Sequence, residues 1–459
     1  MTTISLSLVS HTNVGKTTLM RTLLREDVGE IADRPHVTEA AEAAALVETG
    51  GGDLLRLWDT PGLGDSARLL KRLRASGNPI GWMLSQVWDR FTDRPFFSSQ
   101  QALRNVRDEA DVVLYLVNAA EDPASSAYVP IELEILGWIG RPVILLLNQA
   151  GPARPRDEER REEDAWRSAL GSFNDVRGAL TLDAFARCWV QEDRLFATLH
   201  NALPAEKLAA LEALRAAWRE RNLQVFEASV DALAQELAVV LPDREPLAAG
   251  QEPSRAIGAL AGRAQAAARE ATARLIAAHG LAGHARDEIP RRVAEQFDVK
   301  RPADVAKSGL LGGLVSGLIG GLKADLAVGG ASLGAGAIIG AIVGALGAGG
   351  AAHAWNLLRG RDAARVRWSI ELLEAHLAGA VLRYLAVAHF GRGRGEWRES
   401  EHSPHWRALA EEIASSHRDA LEFLSGDETP DARYLVRDSL AAALVRLYPE
   451  AAHLVGIPP

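Results

Sequence analysis

Hydrophobic positions divide this chain into two halves with different periodicities. Up to about residue 203, short apolar runs at 4–9, 54–58, 112–117 and 143–147 are separated by stretches of helical spacing. The runs are continuous rather than alternating. That is the signature of strands buried on both faces, as in a parallel sheet covered by helices. A polar, Pro- and Arg-rich stretch at 151–163 reads as a loop, 180–185 as a last strand and 190–203 as a last helix. From Pro204 the pattern changes. Alanine and leucine recur at helical spacing over 206–240, with breaks at Pro242 and Pro246. Further helices are predicted at 254–279, 283–297, 362–390, 404–424 and 431–448, with no strand among them. The expected organisation is an α/β domain with a mostly parallel sheet over 1–203, then a mostly α-helical domain over 204–459.

The 459 residues suffice for two or three domains, and with 47% hydrophobic residues the chain can bury a large core. A formal net charge of −9 gives no global sign of nucleic-acid binding, so RNA is not indicated. The single cysteine, Cys188, excludes an intrachain disulfide and a cysteine-built zinc site. It suits a reducing cytoplasm. The opening residues, MTTISLSLVSHTNVGK, have neither a basic n-region nor a long apolar h-region, so no signal peptide is expected. The scattered histidines show no metal-ligand spacing.

Chemistry enters at residues 10–17, SHTNVGKT, between the first predicted strand and a helix starting near Lys16. Apart from Ser10 in place of the first glycine, this is the P-loop pattern. Its backbone N–H groups, from Asn13, Val14, Gly15, Lys16, Thr17 and Thr18, can surround a phosphate at a helix N-terminus. Gly15 permits close backbone approach, Lys16 offsets β/γ-phosphate charge, and the Thr17 hydroxyl is a ligand for Mg²⁺. A second motif, DTPG at 59–62, directly follows the second apolar run. There the Asp59 carboxylate can reach the Mg²⁺ shell and Gly62 can sense the γ-phosphate. The fold class is therefore an α/β P-loop NTPase domain followed by a helical one.

The strings HTNVGKTTL and WDTPGL resemble the translation-factor-related GTPases of the TrmE–Era–EngA–septin group. The whole chain resembles bacterial proteins that join such a GTPase domain to a DUF3482 domain. The resemblance implies GTP and GDP as ligands and more residue roles. Thr38 matches the switch I threonine that contacts Mg²⁺ and γ-phosphate, and is counted with Lys16 and Gly62 as catalytic. Asn148 matches the first residue of the guanine-reading NKxD motif, in which Gln149 here replaces the lysine and Gly151 the aspartate. Residues 183–185, Asp-Ala-Phe, match the last base-contacting loop. Leu63 stands where Ras-like proteins carry a water-positioning glutamine, and an apolar side chain cannot orient water. Asn13 matches an asparagine that ligates an activating K⁺, and also reads as a simple turn-former. Slow turnover, helped by a cation, a homodimer or a protein activator, is the implied behaviour.

One biased segment, 309–352, is built almost wholly of Gly, Ala, Leu, Ile and Val. Gly309, Gly313, Gly317 and Gly321 recur every four residues, as do Ser332, Gly336, Gly340, Gly344 and Ala348. Helical spacing places each set in one stripe, which lets two helices pack closely. A tight helical hairpin is expected. Its uncharged second arm, 326–352, is long enough for ~30 Å of hydrocarbon, and both flanks are basic. Two readings stay open: a hairpin anchored from the cytoplasmic side of the inner membrane, and one buried in the helical domain. Three functions are consistent with the sequence: a GTPase switch at or near the membrane, a cytosolic RNA-directed assembly GTPase, and a non-hydrolysing nucleotide-binding scaffold.

Overall fold

The structure, a computed structural model, describes residues 1–25, 41–85, 93–150, 156–184, 188–247, 253–281, 365–390, 405–426 and 431–456. Two compact units emerge, the first drawn chiefly from Met1–Asn222 and the second from Leu223–His389 and His402–Pro459. Thr38, the helix expected at 283–297 and the segment 309–352 lie outside the described residues.

The first unit is a six-stranded sheet with helices. Its strands are β1 (Thr3–Ser10), β2 (Glu42–Glu48), β3 (Leu54–Asp59), β4 (Val112–Asn118), β5 (Val143–Asn148) and β6 (Val176–Thr181), in the order β2-β3-β1-β4-β5-β6. All neighbours pair in parallel except β2, which runs antiparallel to β3. The central strands are apolar because both faces are covered: every β5 residue is buried, and in β4 only the terminal Asn118 is not. In β1 the small Ser7 is also buried, and its hydroxyl donates to Asn105 Oδ1 at 2.6 Å. The connecting helices are α1 (Lys16–Leu24), α2 (Ser66–Arg74), α3 (Pro79–Ser85), α4 (Arg94–Asp108), α5 (Tyr128–Gly137), α6 (Arg156–Ala169) and α7 (Trp189–His200).

Three expectations need correction here. β2 is a strand the pattern did not show. Its sequence, EAAALVE, is made of good helix formers, but the edge of β3 supplies a ladder that outweighs a weak local preference. The polar stretch 151–163 is helical from Arg156 onward. Its buried Glu159 and Glu163 read as polar in sequence but are paired, Glu163 with Arg194 at 2.7 Å. The last strand begins earlier than expected and ends at Thr181, because Asp183 turns the chain by accepting the Ala150 N–H.

Immediately after Pro204 begins α8 (Ala205–Val240), 36 residues long. Its first half belongs with the first unit. Asp193 of α7 is gripped by Arg215 and Arg219, and Trp218 Nε1 donates to Glu192 Oε2 at 3.0 Å. Burial opposes the Asp193 charge, yet the two guanidinium groups hold its pKa down at about 2.

The second unit contains the remainder of α8 with α9 (Pro253–Ala278), α10 (Ile370–Ala388), α11 (His405–Ser416), α12 (Arg418–Leu424) and α13 (Arg433–Leu447). A two-stranded antiparallel ribbon, β7 (Arg244–Pro246) with β8 (Arg365–Arg367), contradicts the expectation of no strands. Three-residue strands carry too little periodicity to be seen in sequence. Among the described residues, no helix is long and apolar enough to cross a membrane.

A buried ionic cluster ties this unit together. Arg383 Nη2 donates to Glu236 Oε1 at 2.5 Å, while Arg383 Nη1 donates to the Ala268 carbonyl at 3.2 Å. His376 Nε2 lies 2.7 Å from the same Glu236 oxygen, without hydrogen-bond alignment. Burial opposes the Glu236 charge, but Arg383 and His376 bring its pKa down to about 2. Its stabilisation is thus present above the ordinary carboxylate value and is lost as pH falls from about 4.5 towards 2. Glu236→Gln should leave Arg383 buried without a counter-charge, costing about 3–5 kcal/mol in urea unfolding at pH 7, with the difference from wild type shrinking towards pH 2. An unchanged unfolding midpoint at pH 7 would show that the cluster contributes no net stability.

Candidate functional site

The carboxyl ends of β1, β3 and β5 and the turn after β6 lie along one edge of the sheet, where open α/β folds bind ligands. Leu8 of β1 is level with Asp59 of β3, so the P-loop and DTPG start side by side. The two are stitched by the Leu63 N–H donating to the Ser10 carbonyl at 2.9 Å and by the Thr60 hydroxyl donating to the Leu8 carbonyl at 2.6 Å.

The loop bends through two left-handed residues. Asn13 has φ 65°, which asparagine tolerates better than most, and Gly15 has φ 94° as the cap of α1. Gly15 is also confined, since a Cβ there would lie 2.8 Å from Asn148 Nδ2. Val14 is buried and offers its carbonyl to Asn148. Thr18, also buried, offers its carbonyl to the Thr22 hydroxyl at 2.9 Å.

Lys16 is buried, and its Nζ donates to Ser10 Oγ at 3.0 Å. Ser10, in the place of the pattern's first glycine, therefore docks the lysine. Burial lowers the Lys16 pKa, while Asp59 and Glu132 pull the other way. Thr17 Oγ1 donates to Asp59 Oδ2 at 2.5 Å. A hydroxyl from the first turn of α1 and a carboxylate from the end of β3 form a set of hard oxygen donors that fits Mg²⁺. Gly62 packs directly on the loop: a Cβ there would stand 3.0 Å from Thr12 Cα and 3.2 Å from Lys16 Nζ. Leu63 is fully buried and belongs to the hydrophobic cluster that also contains Leu69 and Leu70.

On the other side, Asn148 is fully buried. Its Nδ2 donates to the Val14 carbonyl at 2.7 Å, and its Oδ1 accepts the Ala184 N–H at 2.8 Å. One carboxamide thus links the P-loop to the turn after β6. The structure brings together Asn13, Val14, Gly15, Lys16, Thr17, Thr18, Asp59, Gly62 and Asn148. Thr38 belongs to the undescribed 26–40 stretch.

Sequence reasoning missed Glu132. This fully buried carboxylate of α5 accepts from His11 Nδ1 at 2.6 Å, from the Tyr115 hydroxyl at 2.7 Å, and from Ser66 at the start of α2. It joins the P-loop, β4 and the segment after DTPG. The His11–Glu132 hydrogen bond raises the His11 pKa, against the effect of burial. The signal was present: Glu132 stands on the same helical face as the buried Val129, Leu133 and Leu136.

Residues 5–149 match the family described as 50S ribosome-binding GTPase. Residues 167–435 match the family described as a domain of unknown function, DUF3482. No curated protein matches the chain. Among solved structures it is similar to Era in complex with MgGDPNP and a 16S ribosomal RNA segment, at 20% identity over 44% of this chain and 58% of that one, TM-score 0.31. It is also similar to Era from Aquifex aeolicus bound to GDP·AlF₄⁻, at 15% identity over 58% and 88%, TM-score 0.32. A third likeness is to NFeoB from S. thermophilus, at 14% identity over 50% and 70%, TM-score 0.26. The chain thus spans little over half the length of the first of these, and likenesses so distant assign it no activity.

The contact of Gly62 with Thr12 and Lys16 yields a test. Gly62→Ala forces the two loops apart, which should slow triphosphate hydrolysis by roughly a hundredfold. Diphosphate affinity should stay within a few-fold. Phosphate-release rates and diphosphate titration decide it, and unchanged hydrolysis would remove Gly62 from the reacting site.

Proposed function

We propose, from the premise that this chain belongs to the DUF3482 family and carries a P-loop GTPase domain ahead of that region, that it is a Mg²⁺-dependent molecular switch hydrolysing GTP to GDP and phosphate. The observation that carries the reading is the convergence of Lys16, Thr17, Asp59 and Gly62 at the adjoining ends of β1 and β3. Backbone N–H groups of residues 13–18 hold the phosphates, and Lys16 exchanges its Ser10 partner for the β- and γ-oxygens. Thr17 and Asp59, with Thr38, would hold Mg²⁺, which supplies charge neutralisation across the β- and γ-phosphates. Gly62, packed against Thr12 and Lys16, stands where its backbone can report the γ-phosphate.

No side chain at position 63 orients the attacking water, so intrinsic turnover is slow. The exposed Asn13 carboxamide, at the mouth of the loop, is an oxygen donor suited to K⁺, which supplies stabilisation of developing negative charge. A homodimer or protein activator could supply the same charge. The basic flanks of 309–352 and the uncharged length of its second arm, 326–352, support action at the inner surface of a membrane.

Phosphate release from GTP, measured with full-length protein in KCl and in NaCl at equal ionic strength, tests this reading. Wild type should turn over in both, faster in KCl. Lys16→Ala should lose about a hundredfold or more of the rate together with triphosphate binding, while its thermal unfolding stays that of wild type. A folded Lys16→Ala protein that binds and hydrolyses GTP normally would overturn the proposal. Equal rates in the two salts would remove K⁺ from it.

A further inference from the structure

The two loops that meet at the phosphate site share one buried partner behind them. Glu132 of α5 is fully buried. Its Oε1 accepts from His11 Nδ1 at 2.6 Å and also from the Ser66 hydroxyl, while its Oε2 accepts from the Tyr115 hydroxyl at 2.7 Å. His11 belongs to the P-loop and Ser66 opens α2, so a single oxygen atom joins the phosphate loop to the segment after DTPG. Tyr115 lies in the middle of β4, and burial beside Glu132 pushes its hydroxyl pKa up, so that it stays a donor. By holding Oε2 it aims Oε1 at the two loops.

His11 is gripped twice by the same helix. Tyr128 stands one turn before Glu132 on the same face of α5. Its ring lies against the imidazole, with centroids 4.8 Å apart. The segment from Leu63 to Ser66 is held residue by residue. The Leu63 N–H donates to the Ser10 carbonyl at 2.9 Å, and the Gly64 N–H donates to Ser99 Oγ at 3.2 Å. Asp65 adopts a left-handed φ of 47°, a conformation that persists where the surrounding chain fixes it, and Ser66 donates to Glu132. Gly62 immediately precedes this stretch and packs on Thr12 and Lys16. Position 63 offers no side chain to orient water, so the rate depends on how accurately the Gly62 backbone stands against the P-loop.

We propose that Glu132 is a positioning residue for hydrolysis: through His11 and Ser66 it locks the segment after DTPG in register with the P-loop, and so keeps the Gly62 backbone where it can report the γ-phosphate. This role rests on the GTPase reading above and adds to it the link that aligns the two loops. Its effect falls on turnover of the triphosphate and leaves diphosphate binding almost untouched.

Replacing Glu132 itself would also withdraw a negative charge that supports the Lys16 ammonium. The two donors are therefore changed instead. His11→Phe removes the P-loop arm, His11→Asn keeps a donor in the place of Nδ1, and Ser66→Ala removes the α2 arm. Full-length wild type, these three variants and the double variant His11→Phe/Ser66→Ala are compared for kcat and KM with GTP in Mg²⁺ and for GDP affinity, each after thermal unfolding has been recorded. His11→Phe and Ser66→Ala should each lose about tenfold in kcat, with KM and GDP affinity within a few-fold of wild type. Either change severs the same link, so the double variant should be no slower than the slower single one. His11→Asn should recover most of the rate lost in His11→Phe. If the phenylalanine variant does not fold, Ser66→Ala against wild type decides the matter. Folded variants with wild-type kcat would overturn the proposal, whatever their unfolding temperatures. So would a double variant about a hundredfold slower, the product of two independent losses, and so would an asparagine variant as slow as the phenylalanine one. Losses in GDP affinity as large as those in kcat would overturn it as well, because Glu132 would then serve nucleotide binding at large. Wild type that releases no phosphate from GTP would instead overturn the GTPase reading itself, a result visible before any variant is compared.

Discussion

The nucleotide-facing edge of the first unit depends on one buried carboxamide. Asn148 stands at the end of β5 with no exposure, donating to the Val14 carbonyl of the P-loop and accepting from Ala184 of the turn after β6. Neither partner lies in a regular element, so neither loop has a ladder to fix it. Removing the side chain would leave a buried carbonyl and a buried N–H unpaired at once, each costing about 1–3 kcal/mol. The same carboxamide sets the closeness of the P-loop, because it occupies the space a Cβ on residue 15 would need. Glycine at 15 and asparagine at 148 are therefore one constraint expressed at two distant places in the sequence.

Buried charge plays a comparable role elsewhere. Glu132 collects His11, Ser66 and Tyr115 around one carboxylate behind the P-loop, so the phosphate loop and the start of α2 share a partner. Asp193 with Arg215 and Arg219 fastens the first half of α8 to α7, and Glu236 with Arg383 fastens the helices of the second unit. Such pairs add little net stability over an apolar substitute, but breaking one leaves a charge in a low-dielectric interior. Each therefore specifies which faces must meet.

Much of this arrangement was legible in sequence where local pattern and tertiary environment agree. β4 and β5 are continuous apolar runs because both faces are covered, while β1 and β3 interleave polar residues, and the ends of β1 and β3 carried recognisable phosphate and Mg²⁺ motifs. α8 and α13 were legible from helical spacing within a residue or two. The misses have physical causes. β2 is written in helix formers and exists because β3 needs an edge partner. The β7–β8 ribbon joins residues about 120 positions apart, a pairing no local window contains. α6 was hidden by arginines and glutamates whose mutual pairing allows them to be buried. Glu132 and the contact between Asp183 and Ala150 depend on loops meeting in space, so spacing could suggest positions but not partners.

The central claim is that the edge formed by Lys16, Thr17, Asp59 and Asn148 holds a guanine nucleotide. The most direct measurement is to strip purified full-length protein of nucleotide and equilibrate it with an equimolar mixture of GDP, ADP, CDP and UDP in Mg²⁺. The protein is then separated from free ligand, and the bound base is identified by chromatography after acid precipitation. The account predicts GDP as the dominant species, at close to one per chain. ADP recovered in amounts equal to GDP, or no bound nucleotide at all, would contradict it.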